Sequence, residues 1–416
     1  MKGLDSNPLV TVVTPSYNQG RFIRATIESV LSQSYPNLEY IFMDGGSTDE
    51  TAAVVKDYAS RLTFISEKDR GQSHAINKGF RMAGGSILSW LNSDDLYLPG
   101  AIQAAVDAFE SSPGAGAVYG EGYLIDHGGG ITARFPCTEP FNLWKFVHLS
   151  DYILQQTVYF RRDALDQVGY LDETLHYSMD WDILIRIGLR YPMVYIPEYM
   201  GCLREYPEAK TFAGGIRRAR EIHNMLRRHT GMQIPPGHIV YGLETYQNIW
   251  CRRAEKLTFG WKPAAQALQA GIRFAAGTII GRTLQYSQGL YAGGWAARVL
   301  RYMLPPGGST LLIEGRLPEW KALAGQTLRI DAGGYCLSEA RVPQGNFRLA
   351  VEVPDELRGD TLRLMIQASR VCAYDRIPPH GERRRVAYRL GQIRWAEPDA
   401  AAMQPGSSTV AAYGSR

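Results

Sequence analysis

Short β-branched runs alternate with helical stripes over the first 120 positions of this chain. Residues 9–14, Leu-Val-Thr-Val-Val-Thr, read as a buried strand. From about residue 20 to 33, Phe22, Ile23, Ile27, Val30 and Leu31 recur at helical spacing. Strand patterns return at 38–43, 62–65 and 86–91. Helical patterns return at 73–82, at 99–109 with Pro99 in the first turn, and up to residue 58 behind a Ser47 or Thr48 cap. Asp49 and Glu50 suit the positive end of that capped helix. The alternation predicts a largely parallel sheet with helices on both faces.

Beyond residue 120 the pattern loosens. A strand is expected at 158–160, a helix at 180–190 and a strand at 194–196. Residues 212–303 read as helical, with a break at Pro235-Pro236, and Pro305-Pro306-Gly307-Gly308 reads as a linker. Short alternating strands follow at 310–314, 327–331, 347–353 and 361–366, which suggests a β-sandwich. From residue 397 the chain is small and polar, and disorder is expected. With 416 residues, more than one core is needed. The expected division is an α/β domain over 1–211, a helical region over 212–304, a β-sandwich over 305–396 and a tail over 397–416.

Composition narrows the function classes. Hydrophobic residues make up 45% and charged residues 21%, as in ordinary globular proteins. A net charge of +4 does not suit a nucleic-acid binder. Five cysteines form no C-x-x-C pair, so neither a zinc site nor a disulfide framework is indicated, and a reducing compartment is favoured. The first eight residues lack the apolar core of a signal peptide, and no run of 18 apolar residues occurs. The expectation is a cytoplasmic protein, soluble or at most peripheral on the cytoplasmic membrane face. Arg217, Arg218, Arg220, Arg227 and Arg228, with an apolar stripe of Ile216, Ala219, His223 and Leu226, are the basis for that peripheral contact.

The chemistry concentrates where strands end. Asn92-Ser93-Asp94-Asp95 follows the apolar run 86–91, placing two carboxylates at the crevice where open α/β sheets bind ligands. Hard cations take oxygen ligands, and Mg²⁺ commonly bridges one or two carboxylates to substrate phosphates. Pro15-Ser16-Tyr17-Asn18 and Asp44-Gly45-Gly46-Ser47-Thr48-Asp49 close two further strands on the same edge. Tyr17 offers a ring to a base and Asp44 an acceptor; the plain alternative is a turn and a helix cap.

With Gly71-Gln72-Ser73-His74-Ala75-Ile76-Asn77-Lys78-Gly79 between them, these motifs stand in an order and spacing that resemble the family 2 glycosyltransferases over roughly residues 9–211. The resemblance implies a GT-A fold, a nucleotide-sugar donor (commonly uridine-linked) and a glycan or lipid-linked acceptor in surface polysaccharide synthesis. It implies Pro15, Tyr17, Asp44, Asn77, Lys78, Asn92 and Ser93 at the nucleotide, and Mg²⁺ or Mn²⁺ on Asp94 or Asp95. Asn92 departs from the family's Asp-x-Asp pattern, and Tyr206 stands where a following loop often carries a His. Arg204 and Lys210 of that loop are candidates for the pyrophosphate.

Glycosyl transfer needs a base for the acceptor hydroxyl. By the resemblance, Ser178-Met179-Asp180-Trp181-Asp182 carries it, with Asp180 as the base. Asp182, four before Arg186, is expected to be structural. His74, Gln156 and Trp181 are the candidates around the sugars; Trp181 serves equally well as core. The other class to separate is a non-catalytic glycan-binding or scaffold protein with a relic nucleotide domain. The β-sandwich resembles carbohydrate-binding modules in architecture only.

Overall fold

The computed structural model describes residues 4–136, 138–206, 208–210, 214–257, 262–286, 288–291, 294–377 and 382–396; the expected tail, 397–416, lies outside the described residues. The chain divides into two compact units, residues 1–142 with 146–269, and residues 143–145 with 270–416.

Up to residue 257 the elements are β1 (Val10–Ser16), α1 (Gly20–Leu31), β2 (Leu38–Asp44), α2 (Thr51–Lys56), β3 (Thr63–Ser66), α3 (Gln72–Met82), β4 (Ile87–Trp90), β5 (Leu96–Tyr97), α4 (Ala101–Ser111), β6 (Ala117–Ile125), β7 (Ile131–Arg134), α5 (Leu143–His148), β8 (Tyr159–Arg161), α6 (Arg162–Val168), α7 (Met179–Gly188), β9 (Met193–Arg204), α8 (Gly215–Thr230) and α9 (Pro236–Leu257). One sheet runs β3-β2-β1-β4-β8-β6-β9-β5, with β7 beside β6. Strands β1 to β4 are parallel, as the alternation predicts, whereas β8 is antiparallel to β4 and β6. Every residue of β1 is buried, because β1 is central and covered on both faces, which explains its unbroken apolar run. Helix α1 turns Phe22, Ile23, Ile27 and Val30 into the core. Helix α3 crosses β1 so closely that a Cβ on Gly79 would lie 2.5 Å from Val13. This is the mixed α/β architecture expected for a GT-A domain.

After α10 (Lys262–Tyr286) the chain turns to strands: β10 (Leu290–Tyr291), β11 (Trp295–Ala296), β12 (Val299–Leu304), β13 (Thr310–Leu317), β14 (Thr327–Ala332), β15 (Tyr335–Arg341), β16 (Gly345–Glu352), β17 (Leu362–Ala368), β18 (Cys372–Ile377), β19 (Glu382–Val386) and β20 (Tyr388–Trp395). A five-stranded sheet, β10-β11-β20-β13-β16, and a four-stranded one, β12-β17-β14-β15, are antiparallel. Ile313, Phe347 and Tyr388 of one share a single buried cluster with Leu328, Ile330, Leu364 and Ile366 of the other, as in a sandwich of two sheets.

Several boundaries differ from the sequence pattern. The helical stretch expected to reach residue 303 ends at Tyr286. Val299–Leu304 instead pairs along its whole length with β17, so the sandwich begins before the Pro305-Pro306 segment. Residues 215–257 belong to the same compact unit as the α/β sheet. Neither Ser47 nor Thr48 caps α2; it starts at Thr51, whose N–H is taken by Asp49 Oδ1. The buried stripe of α8 is Ile222, Met225 and Leu226, while Ile216 is exposed.

Candidate active site

Parallel pairing brings three strand ends to one edge. Ser16 stands opposite Asp44, and Leu91 N–H bonds to Val13 O, so the loops after β1, β2 and β4 open together. The first two loops are laced to each other. Asn18, in the left-handed region at φ 52°, accepts from Thr48 N–H at 2.9 Å and donates its own N–H to Ser47 Oγ at 2.7 Å. That leaves the Tyr17 ring standing out of the loop, 62% exposed. Pro15 is buried within β1. Asp44 is buried too, and its carboxylate accepts from Ser47 and, at 2.6 Å, from Ser66 Oγ. Asp44 therefore shapes the loop that frames Tyr17.

The two adjacent carboxylates have different surroundings. Asp95 is 1% exposed; its Oδ1 accepts from Arg204 N–H at 2.9 Å, and its Oδ2 from Gln156 Nε2 at 2.6 Å and Asn92 Nδ2 at 3.1 Å. Burial and then the Asp94 charge push it up to about 8, against those donors. Both oxygens are in use, so Asp95 does not suit the metal-ligand role considered for it. Asp94 is half-buried; its Oδ2 accepts from Tyr206 Oη–H at 2.6 Å, and among the described residues no group holds its Oδ1. Tyr206, where the resemblance leads one to expect a His, thus aims a phenol at Asp94. Burial, followed by Asp94, raises that phenol above its ordinary range. Ser93 is buried, with its carbonyl on Thr26 Oγ.

Among the described residues no cluster of three or more His, Cys, Asp or Glu side chains could hold a metal ion. Asp94 still fits one, since Mg²⁺ is commonly held by a single carboxylate together with phosphates and waters. Arg204, a candidate for pyrophosphate, is committed elsewhere. Its guanidinium donates to the carbonyls of Asp94, Asp126 and His127 and lies 4.9 Å from the Phe22 ring centre.

Gln72 links this loop to Lys210, whose charge bears on Asp180. Lys210 Nζ donates to Gln72 Oε1 at 2.8 Å, Gln72 Nε2 donates to Asn92 Oδ1 at 2.7 Å, and Asn92 reaches Asp95. Asp180, in the first turn of α7, accepts from Trp181 N–H at 2.8 Å. Burial lifts it above the ordinary carboxylate range, while Lys210 opposes the shift. Burial holds Lys210 below its ordinary value, against the pull of Asp180.

Helix α8 supplies a part the sequence pattern did not reveal. Glu221 accepts from three successive N–H groups, His176 at 2.9 Å, Tyr177 at 2.6 Å and Ser178 at 2.9 Å, and from Ser178 Oγ at 3.0 Å. A carboxylate there satisfies the donors at the positive end of α7. Lower on the same helix pair, Asp182 accepts from Arg186 Nε at 2.8 Å and lies 2.7 Å from His229 Nε2. Asp182 is the structural acid its spacing predicts. Burial favours its neutral form, but the His229 hydrogen bond and the Arg186 charge prevail and hold it low. Asp151 was also missed. Burial and the Asp180 charge hold it well above its ordinary range.

The remaining candidates are structural. Trp181 is 2% exposed, donates Nε1 to Phe146 O at 2.9 Å and packs on Tyr241, so it is core rather than a sugar wall. Gln156 is buried and serves Asp95. Asn77 spends its amide on Leu171 and Glu173, tying down that loop instead of meeting a nucleotide. Lys78 pairs with Glu67, and His74 Nδ1 accepts from Arg70 N–H at the start of α3.

Residues 11–167 match the model of glycosyl transferase family 2. An uncharacterised glycosyltransferase of Rickettsia prowazekii is 28% identical over 261 residues, 61% of this chain and 73% of that protein. Chondroitin synthase of Escherichia coli is 28% identical over 192 residues, 45% of this chain but only 28% of the relative. Among solved structures, a mannosyltransferase of Pyrobaculum calidifontis in complex with GDP-Man and Mn²⁺ aligns over 68% of this chain and 87% of its own, at 20% identity and TM-score 0.45. Residues 1–349 of S. aureus TarS in complex with UDP align over 68% and 92%, at 16% identity and TM-score 0.41.

Proposed function

We propose that this chain, whose residues 11–167 are a glycosyl transferase family 2 segment, moves a sugar from a nucleoside diphosphate donor, uridine-linked, to a hydroxyl of a glycan or lipid-linked acceptor, with inversion, in surface polysaccharide synthesis. The observation that carries the reading is the hydrogen-bonded line from Lys210 through Gln72 and Asn92 to Asp95. It ties the acidic loop after β4 to Lys210, whose charge bears on Asp180, and this supports the reading that the two acidic segments serve one site.

The exposed Tyr17 ring stacks on the base, in the loop that Asp44 and Asn18 hold. Asp94, with one oxygen uncommitted, would hold Mg²⁺ or Mn²⁺, and the bound cation would supply Lewis-acid stabilisation of the diphosphate leaving group. Lys210 adds a positive charge on the same side. The acceptor oxygen attacks the anomeric carbon as the bond to the diphosphate oxygen breaks, and the acceptor's proton passes to Asp180. A carboxylate lifted by burial is a better base than one in water. One displacement gives inversion.

Among the described residues no helix is long and apolar enough to cross a membrane. Exposed Arg217 and Arg220 beside exposed Ile216 on α8 suit a peripheral contact with anionic lipid at a cytoplasmic membrane face. Arg228, by contrast, is bound to Asp172.

The test is turnover of a panel of nucleotide sugars with Mn²⁺ by the chain and by Asp180→Asn. The variant is expected to lose roughly 10²- to 10⁴-fold in rate while UDP still raises its melting temperature. Full activity in Asp180→Asn, or retained anomeric configuration in the product, overturns the mechanism. Absence of turnover with every donor favours the non-catalytic scaffold.

A further inference from the structure

The outer face of the five-stranded sheet carries an unusual row of side chains. Residues directly opposite one another in antiparallel strands point to the same side. Trp295 on β11 stands opposite Arg389 on β20, Arg389 opposite Arg316 on β13, and Arg316 opposite Asn346 on β16. One line across four strands thus reads Trp, Arg, Arg, Asn. Arg316 and Arg389 are both exposed. Like charges directly opposite one another disfavour a sheet. In the next row Glu314 is already engaged, with Gln392 at 2.6 Å and Arg348 at 3.3 Å. Among the described residues Arg316 has no acidic partner.

The backbone is irregular along this row. The register of β13 against β20 shifts between Glu314 and Gly315, a bulge that bends the strand. A Cβ on Gly315 would lie 2.6 Å from the Phe347 ring and 2.7 Å from Arg389 O, so only glycine fits. An open trough of about 770 Å³ lies over these strands, and its lining includes Arg316, Arg348, Arg389 and Asn346 together with Glu314. At the tryptophan end, Trp295 is stacked 5.5 Å from Trp320 at 13° and lies 4.7 Å from Tyr374. All three rings are half-buried, which makes Trp295 a rigid platform.

Guanidinium groups bind carboxylates and phosphates through paired N–H donors, and an aromatic face packs on the apolar face of a sugar ring. We infer that this trough binds an acidic glycan, one bearing carboxylates or phosphodiesters, with Arg316 and Arg389 on the anionic groups and Trp295 against a ring. The charge of the trough selects the anion, and the aromatic end of the same row selects a sugar over a bare polyanion. The inference is independent of the transfer chemistry, since it needs no donor.

The test is calorimetric titration of the full chain with polygalacturonate oligomers, a poly(glycerol phosphate) chain, neutral dextran and a single-stranded oligonucleotide. At least one acidic glycan is expected to bind, more weakly as salt rises, and whichever of the two binds identifies the anionic group. Arg316→Glu and the milder Arg316→Gln are expected to weaken it at least tenfold, with donor turnover unchanged and the melting temperature unchanged or higher, since either relieves the like-charge pair with Arg389. Arg363→Gln, on the outer face of the four-stranded sheet, is expected to leave it intact. The inference is overturned if neither acidic glycan binds, if dextran or the oligonucleotide binds as tightly, or if Arg316→Gln has no effect. Donor turnover of the same variants is read separately, so failure of the transfer reading is a distinct result.

Discussion

Asp94 and Asp95 are neighbours with opposite jobs, and single substitutions separate them. Asp95 accepts three N–H donors while buried. In Asp95→Asn an NH₂ group must face one of those donors, at a cost of roughly 1–3 kcal/mol. The melting temperature is expected to fall by several degrees, and donor binding by the folded fraction to survive. Asp94→Asn, half-exposed, is expected to stay within about 0.5 kcal/mol of the parent yet to lose the extra thermal stabilisation that Mn²⁺ gives with UDP. Equal effects of both substitutions on stability and on donor binding would refute the division. Lys210 gives a second test at this scale. Its charge lowers the Asp180 pKa, which burial has raised. Asp180 must be ionised to take a proton, so kcat/KM rises with pH through that pKa. Lys210→Gln removes the opposing charge, and the acid limb of the profile is expected to move to higher pH. An unmoved or acid-shifted limb counts against Asp180 as the titrating base. The sequence proposes Asp180 through its motif but has no means of pointing to Asp151, whose surroundings Ser150-Asp151-Tyr152 look like any turn and whose proximity to Asp180 is purely tertiary.

Elements are where pattern and structure agree unevenly. Strands β1, β2 and β4 were legible because burial on both faces forces a continuous apolar run. Strand β6 was not, because Gly120-Glu121-Gly122 interrupts it, although Glu121 is buried with Arg134 as its ion-pair partner. Helix α8 was read as a basic surface helix on the strength of its five arginines. Its fold-specific act is performed by one acid among them. Glu221 closes the N–H groups of residues 176–178, which fixes the start of α7 and hence where Asp180 sits. No local pattern distinguishes that glutamate from a solvated one. Glu221→Ala leaves three donors open and is expected to cost roughly 2–3 kcal/mol. It is also expected to lower kcat by roughly 10- to 100-fold, as misplacement of a reacting group does, with the donor KM nearly unchanged. Glu221→Gln, which keeps one accepting oxygen, is expected to fall between. A drop in melting temperature with normal kcat in both variants would reduce Glu221 to a helix cap without a positioning role.

At the scale of the whole molecule, two large hydrophobic clusters among the described residues share no residue. One is built from Val10, Ile23, Phe42, Phe109 and their neighbours, the other from Ile313, Ile330, Ile366 and theirs. The change from strand–helix alternation to short alternating strands already announced two architectures, because a period of two and a period of 3.6 bury different faces. The position of the change was harder to read. Val299–Leu304 comes after the glycines at 289, 293 and 294, but its own residues do not set it apart from the helical stretch before them, and its pairing with β17 makes it a strand. Separate cores imply separate responses to ligand. A nucleoside diphosphate bound at the edge of β1, β2 and β4 stabilises the state that binds it by about 2.7 kcal/mol at a hundredfold excess over Kd. For a unit of this size that is roughly 5–10 °C in melting temperature. Hydrogen exchange monitored segment by segment assigns the gain. Slower exchange is expected in β1, β2, β4 and α7 on adding UDP with Mn²⁺, and unchanged exchange in β14 and β17. An acidic glycan is expected to act in the reverse sense, protecting β13 and β20 while leaving β1 and β4 as they were. Protection of β14 and β17 by the nucleotide, or none at the β1 edge, would mean that the cleft built around Tyr17 and Asp94 is not where the donor binds.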